Sequence, residues 1–367
     1  MSEKYTSLGL MSGTSGDGVD ASIINSDGVN KFETIKDKYY EYDSNIYRDF
    51  HFLKDRIFNF HDLKKLSKEV NGLERKITLF HAKIIKELSI NKEEILVGFH
   101  GQTIYHNAME KISRQLGDGK LLYQLTKRKI IYNFRENDIL NGGEGAPLTP
   151  IFHKLIASQK KMKLPTCILN IGGISNVTIV GLDELFSKDI GPGNCLIDTW
   201  VRKNSKKKFD HDGYLASIGK KNEIIFEQAQ ELYYNRNKEK QSFDTNDFDI
   251  AFSRGLSLED GTTTLTEFTG SIIAETISLL AKNVKTFNDI IICGGGRKNK
   301  MLMNIIKKNL SQKIKIKMID DYGIDGDFIE SKAFAFLAIR SYKKLPITFP
   351  STTNCKKPCI GGKVIEN

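Results

Sequence analysis

The chain has little that would point to a secreted or membrane-bound protein. Its five cysteines, Cys167, Cys195, Cys293, Cys355 and Cys359, are odd in number, scattered and mostly set in apolar segments, which suits reduced thiols better than a disulfide framework. Cys355 and Cys359 lie close, but no second Cys/His pair completes a zinc site. No run approaches 18 apolar residues, and the N-terminus has no basic segment followed by an apolar stretch; neither a spanning helix nor a secretion signal is expected. A domain-sized basic stripe interleaved with stacking aromatics is also missing, which argues against nucleic acid as a partner. These absences predict a soluble, cytoplasmic protein.

What is present is a chain of 367 residues, long enough for two domains of ordinary size. Its 55 Lys+Arg against 45 Asp+Glu give a net charge of +10, which favours acidic ligands such as nucleotides and phosphosugars. Lysine, asparagine, isoleucine, phenylalanine and tyrosine are abundant together, as in an A- and T-rich coding sequence, and most of the lysines read as solvated surface.

The chain is organised around its first apolar strand and the loop that follows, Gly13-Thr14-Ser15-Gly16-Asp17-Gly18-Val19-Asp20. Glycine, serine and threonine leave backbone N–H groups uncovered there, as a phosphate cradle requires. Asp17 and Asp20 add carboxylates suited to Mg²⁺ held between protein and phosphates. The Lys-Ser/Thr ending of a P-loop is lacking, and a strand rather than a helix resumes at Val19, so the unit is a β-hairpin. A ligand-free glycine turn fits the same residues.

After a third strand near residues 31–42, apolar residues from Leu63 to Leu88 recur every three or four positions and predict one long helix capped by Asp62. A buried strand from Glu94 to Phe99 then ends in His100-Gly101-Gln102-Thr103, where α/β folds place ligand contacts. A lone histidine is more often structural, but the company of Gln102, Thr103 and His106 favours function. A strand over 129–134 leads into Arg135, Asp138 and Gly142-Gly143-Glu144-Gly145-Ala146-Pro147. That run reads as a substrate loop or hinge, or else as the start of a helix with Pro147 and Pro150 in its first turn.

Residues 166–180 nearly repeat the beginning: apolar strand, Gly172-Gly173, apolar strand. Two such hairpins about 160 residues apart predict a duplicated α/β domain with phosphate loops facing each other across a cleft. Asp189-Ile190-Gly191-Pro192-Gly193-Asn194 follows, with Asn194 placed to cap a helix that carries Asp198 one turn in. Asp198 is a general-base candidate; an acidic residue favoured by the helix dipole is the alternative. The segment 209–213 carries no assignable chemistry. A buried strand over 289–293 ends in Gly294-Gly295-Gly296, bare backbone suited to an adenine or ribose, ahead of a helix from Asn299. A final apolar helix over 328–338 carries Glu330 near its start.

The segments MSGTSGDGVD, FHGQTIYH, NFRENDILNGGEGAPLTP, LNIGGISNVT, DIGPGNCLIDTW, CGGGRKN and IESKAFAFLA occur in the order and spacing of the anhydro-N-acetylmuramic acid kinase family, which they resemble from Gly9 to about Pro350. The resemblance implies an α/β fold of duplicated actin-like ATPase (ribonuclease H-like) domains around a central nucleotide cleft. The expected domains are 1–135 and 136–340, with the tail 341–367 packing back on the first. It implies ATP with Mg²⁺ and an amino sugar as small-molecule partners, and leaves a homodimer open. The loop from Gly13 to Asp20 resembles the first phosphate loop, Gly172-Gly173 the second, and Gly294-Gly295-Gly296 with Asn299 the adenosine loop. Asp198 aligns with the catalytic base and Glu330 with a carboxylate that helps hold the attacking water; His100, Gln102, Thr103, Arg135 and Asn194 are carried over as sugar contacts. Gly16, Glu144, Thr263 and Lys332 depart from the family's usual residues. The implied reaction opens 1,6-anhydro-N-acetylmuramic acid with water and phosphorylates O6, in peptidoglycan recycling. An ordinary sugar kinase of the same superfamily, or a nucleotide-switched protein like Hsp70 or actin, are the competing readings. Opposed phosphate loops further imply domain closure, with hinges near residues 134–143 and 333–339.

Overall fold

Apolar runs of the kind that bury both faces of a strand recur through the chain, and each becomes the middle of a sheet. The computed structural model describes residues 3–88, 95–237, 242–283 and 287–366. The strands are β1 (Tyr5–Ser12), β2 (Gly18–Ser26), β3 (Phe32–Glu41), β4 (Leu96–Asn107), β5 (Ile112–Leu116), β6 (Lys129–Tyr132), β7 (Thr166–Ile171), β8 (Ile174–Val180), β9 (Leu185–Pro192), β10 (Asp289–Cys293), β11 (Lys315–Met318) and β12 (Lys363–Ile365). Glu94, the expected start of the fourth strand, lies outside the described residues.

Two sheets form, one in the order β12-β6-β4-β1-β2-β3 with β5 on β4, the other β11-β10-β7-β8-β9. In the first, β1 pairs antiparallel with β2 and β2 with β3, while β4 joins β1, and β6 joins β4, in parallel. In the second, β8 is antiparallel to β7, β10 parallel to β7 and β11 parallel to β10. The same order thus occurs twice, a meander followed by parallel strands added on the far side of the first strand. This is the duplicated actin-like, ribonuclease H-like α/β fold.

The chain divides into two units, residues 1–162 with 185–187 and 327–367, and residues 163–184 with 188–326. Segments 136–162 and 327–340 therefore belong with the first unit, where the sequence-based division put them in the second. Their side chains show why: Phe152 packs edge-on against Phe32 at 4.9 Å, and the Gln159 amide brackets the backbone of Phe32, accepting from its N–H and donating to its carbonyl. The tail returns through β12, antiparallel to β6. The segments 134–143 and 333–339, expected as hinges, also lie within the first unit.

The periodic stretch 63–88 forms two helices, Phe60–Lys65 and Ser67–Glu87. Asn59, not Asp62, is the cap: its side chain accepts from the Asp62 N–H at 3.0 Å, and the Asp62 carboxylate accepts from Phe58 N–H. The Ile329–Tyr342 helix is buried almost all round. It can lie so deep because Gly9 and Gly98 are partners on adjacent strands β1 and β4. A Cβ at Gly9 would fall 1.9 Å from Ser331 O, and one at Gly98 2.3 Å from Phe334 O. Among the described residues no helix is long and apolar enough to cross a membrane.

Candidate active site

In the first unit, the loop between β1 and β2 is closed by the Gly13 carbonyl, which accepts from the Gly16 N–H at 3.1 Å and from Gln102 Nε2 at 2.7 Å. Gly16 has φ +61°, and a Cβ there would sit 2.1 Å from the Phe50 ring, so Phe50 fills the space a larger side chain would need. A Cβ on Gly18 would meet Tyr40 O at 2.4 Å. Gly13 differs. Its φ lies outside the left-handed region and the nearest atom to its Cβ position is Ser15 Oγ, at 3.8 Å. The fold gives no reason for glycine at 13; the space above it suits a ligand. Thr14 is exposed, whereas Val19 is wholly buried and can offer a ligand only its backbone.

Asp17 and Asp20 are half-buried beside this loop. Asp17 accepts from the Ser15 hydroxyl, and its carbonyl from Tyr42 N–H at 2.9 Å. Burial, then the charges of Asp17, Glu41 and Asp20, hold the Tyr39 hydroxyl protonated far above its ordinary range. Hard carboxylate oxygens beside a loop of bare backbone are of the kind that would suit a Mg²⁺ ion carried by a nucleotide.

The residues from His100 to Thr103 do not end their strand; they continue it. The parallel pairing of β4 with β6 stops at Phe99, beyond which β4 pairs with β5. His100 is buried, its Nδ1–H donating to Gly101 O at 2.8 Å and its Nε2 accepting from Arg135 at 3.0 Å. Burial first, then the Arg135 charge, pushes its pKa well below the ordinary histidine range, so the ring is neutral. Both nitrogens are engaged, and His100 serves to aim Arg135, which also donates to Gly145 O at 2.7 Å. Gln102 is fully buried, and among the described residues its Oε1 has no hydrogen-bond partner. Thr103 Oγ1 accepts from Gln115.

Glu330 is a half-buried residue in the first turn of the Ile329–Tyr342 helix, among buried neighbours. The turn is pinned from both sides. Ser331 Oγ meets Ser22 Oγ at 2.6 Å, and the buried Lys332 ammonium lies 2.7 Å from Asp37 on β3. Glu144, another departure from the family pattern, accepts from Asn354 at 3.0 Å.

In the second unit, Gly172 and Gly173 turn β7 into β8. Their carbonyls are held by three successive N–H groups: Asn194 to Gly172 O at 2.8 Å, and Gly193 and Cys195 to Gly173 O at 2.9 and 3.1 Å. A Cβ on Gly193 would fall 2.2 Å from Gly172 O, so the Gly-Pro-Gly turn is what allows the two loops to touch. Gly172 itself is open, with its nearest neighbour at 3.5 Å. Asn194 occupies the N-cap position of the Cys195–Asn204 helix, but its side chain makes no capping bond. Asp198 lies in the first turn, half-buried, with its N–H on Asn194 O at 2.8 Å. Trp200 anchors that helix: its indole N–H donates to Leu258 O at 3.0 Å, and a Cβ on Gly261 would collide with its ring at 2.3 Å. Burial pushes the Cys195 thiol up to about 12, with the Asp198 charge adding to the shift, so this cysteine is no nucleophile.

The three glycines after β10 are not equivalent. Gly294 has φ +82° and abuts Asn170 Oδ1, Gly296 abuts Ile171, and of the three only Gly295 has nothing among the described residues within 4 Å of its Cβ position. Asn299 caps the Lys300–Asn309 helix through its Oδ1, which accepts from Leu302 N–H at 3.0 Å. The segment 209–213, to which the sequence assigned no chemistry, contributes Asp210, His211 and Gly213 to a cavity of about 570 Å³, together with Tyr214, Lys300 and Met301. A Cβ on Gly213 would fall 2.3 Å from Asn299 Oδ1. Nothing local in the sequence marks those residues, since the cavity exists only once two segments some 90 positions apart are packed.

Residues 5–367 match the model of the anhydro-N-acetylmuramic acid kinase family. The anhydro-N-acetylmuramic acid kinase of Pelagibacter ubique is 55% identical over the whole of both chains, and that of Agrobacterium fabrum 34%, again over the whole of both. Among solved structures, component A of (R)-2-hydroxyglutaryl-CoA dehydratase from Acidaminococcus fermentans aligns over 92% of this chain and 99% of its own at 12% identity, with a TM-score of 0.44.

Proposed function

The chain belongs to the anhydro-N-acetylmuramic acid kinase family and is an ATP-dependent kinase of cell-wall recycling, and from that premise we propose which of its residues carry out the reaction. Asp198 takes a proton from the water that attacks the anomeric carbon of 1,6-anhydro-N-acetylmuramic acid. As that bond forms, the bridge to O6 breaks, and O6 accepts the γ-phosphoryl group of ATP, leaving N-acetylmuramic acid 6-phosphate and ADP. The departing oxygen is itself the phosphoryl acceptor, which explains why ring opening and transfer are coupled. Glu330 is the second carboxylate of the reaction. The 13–18 loop and the Gly172-Gly173 turn bind phosphate oxygens. Asp17 and Asp20 are the carboxylates that would hold Mg²⁺ carried by the nucleotide, and the ion would supply positive charge against the transferring group. Arg135, aimed by neutral His100, binds the sugar with Gln102, Thr103 and Asn194, and Gly295 and Asn299 border the adenosine. ATP as donor places the reaction in the cytoplasm.

The observation that carries the reading is the family match across residues 5–367. Running the reaction in ¹⁸O water with mass spectrometry of the sugar product tests it. The label is expected on C1 and not on the phosphate. An unlabelled phosphosugar would mean a kinase that deprotonates a hydroxyl. ATP turnover indifferent to the anhydrosugar would mean a nucleotide-switched protein.

A further inference from the structure

Cys355 and Cys359 stand outside the machinery described above. Their Cys-Lys-Lys-Pro-Cys spacing falls within that of paired zinc ligands. In sequence they lack further donors, but the fold supplies one. The ligand atoms of Asp138, Cys355 and Cys359 all lie within 4.8 Å of one another, and the three residues are 1%, 1% and 2% exposed. All three belong to the first unit.

Two buried thiols alone would read as small apolar side chains. The carboxylate between them is what needs explaining. Among the described residues the Asp138 carboxylate takes hydrogen bonds from two neutral donors, the Gly145 N–H at 2.7 Å and the Thr353 hydroxyl at 2.7 Å, and from no ammonium or guanidinium. A buried carboxylate without a cation is costly. A divalent ion would supply the missing charge, and two sulfurs select a thiophilic one over Mg²⁺ or Ca²⁺.

We propose that Asp138, Cys355 and Cys359 bind a thiophilic divalent cation of the Zn²⁺ type, with water or a solute anion as fourth ligand. Tetrahedral zinc, with bonds of about 2.3 Å to sulfur and about 2.1 Å to oxygen, holds its donors about 3.7 Å apart. The cluster therefore has to contract by at most about 1 Å. Each thiol gives its proton to solvent as its sulfur–metal bond forms, and nothing is oxidised or reduced. The ion would clamp the C-terminal segment onto the loop that Arg135 grips, two pieces already joined by Glu144 N–H to Thr353 O at 2.8 Å and Lys356 N–H to Asn141 O at 3.1 Å. The Thr353 hydroxyl then orients a ligand carboxylate.

The test uses the full chain, purified under reducing conditions, stripped with a chelator and titrated with Co²⁺ and then Zn²⁺. One equivalent of Co²⁺ with a thiolate-to-cobalt charge-transfer band is expected, displaced by Zn²⁺. The band should vanish in Cys359→Ser, persist in Cys167→Ser, and need about 10–100 times more metal in Thr353→Val, which keeps all three ligands. Should Cys359→Ser fail to fold, X-ray absorption of the unmutated zinc protein decides, with two sulfur neighbours expected. No stoichiometric binding, a bound metal without sulfur neighbours, or a Cys355–Cys359 disulfide in protein alkylated directly from cells would each overturn the proposal.

Discussion

Gly13→Ala and Gly172→Ala separate glycines kept for a ligand from glycines kept for the fold. In the free protein a Cβ at 13 has its nearest neighbour at 3.8 Å, and one at 172 at 3.5 Å, both ordinary contacts, with neither φ in the left-handed region. Each change should leave stability the same or raise it by about 0.4–1 kcal/mol, because alanine has less freedom to lose on folding. Gly294→Ala is the contrast. Its φ is +82° and its Cβ would fall 2.4 Å from Asn170 Oδ1 and 2.6 Å from Ile171 O. The left-handed backbone costs about 1–2 kcal/mol and the overlap about 1–3 more. If the proposed phosphate loops bind ATP, a methyl group at 13 or 172 would take the space of a phosphate oxygen, and loss of one such contact, about 1.4 kcal/mol or more, is at least a tenfold loss of affinity. Calorimetric titration with a non-hydrolysable ATP analogue and a thermal scan of the same samples measure both quantities. The reasoning fails if Gly13→Ala unfolds as readily as Gly294→Ala, or if both loop variants stay folded and bind ATP as the parent does.

Three further outcomes are expected. Asp198→Asn should lose about 10²–10⁴ in turnover while ATP affinity stays within about threefold, since the amide keeps the shape and lacks only the proton acceptor; steady-state kinetics with a parallel titration would show otherwise if a different base operates. Gly98→Ala should lower stability by about 3 kcal/mol or more, because the Phe334 carbonyl 2.3 Å from the new Cβ is backbone and cannot swing away; an unchanged thermal midpoint would mean the helix can lift off β4. Burial holds His81 and His153 at pKa values of about 4 and about 3. In the unfolded chain they take up protons near pH 6.5, so their contribution is full above that pH and declines as pH falls toward 4. The loss is about 2 kcal/mol per histidine at pH 5, and urea unfolding at pH 7 and pH 5 should show His81→Leu less acid-sensitive than the parent.

Local chemistry was legible from the sequence because it depends on neighbours along the chain. Each strand, glycine turn and strand of the two hairpins is set by continuous apolar runs and by residues that tolerate a tight turn, and Asp198 follows Asn194 by one helical turn in any context. Even the duplication is a local pattern occurring twice. The error at Asp62 is also local: Asn59, three residues earlier, had the better capping geometry, and Leu66 divided a pattern that looked continuous.

The tertiary structure decided which of these features face protein and which face open space. Gly9, Gly13 and Gly16 look alike as letters; only packing reveals that Gly9 receives a helix 322 residues away, Gly16 the Phe50 ring, and Gly13 only Ser15 Oγ at an ordinary 3.8 Å. His100 read as a ligand, but the Arg135 guanidinium and the Gly101 carbonyl take both its nitrogens. Asp138 and the two C-terminal cysteines form a cluster only because β12 pairs with β6 and returns the tail to the first unit. Such contacts depend on strand register and on which helix a sheet accepts. Those are settled by the summed burial of the whole chain, and the composition of any one segment carries little trace of them.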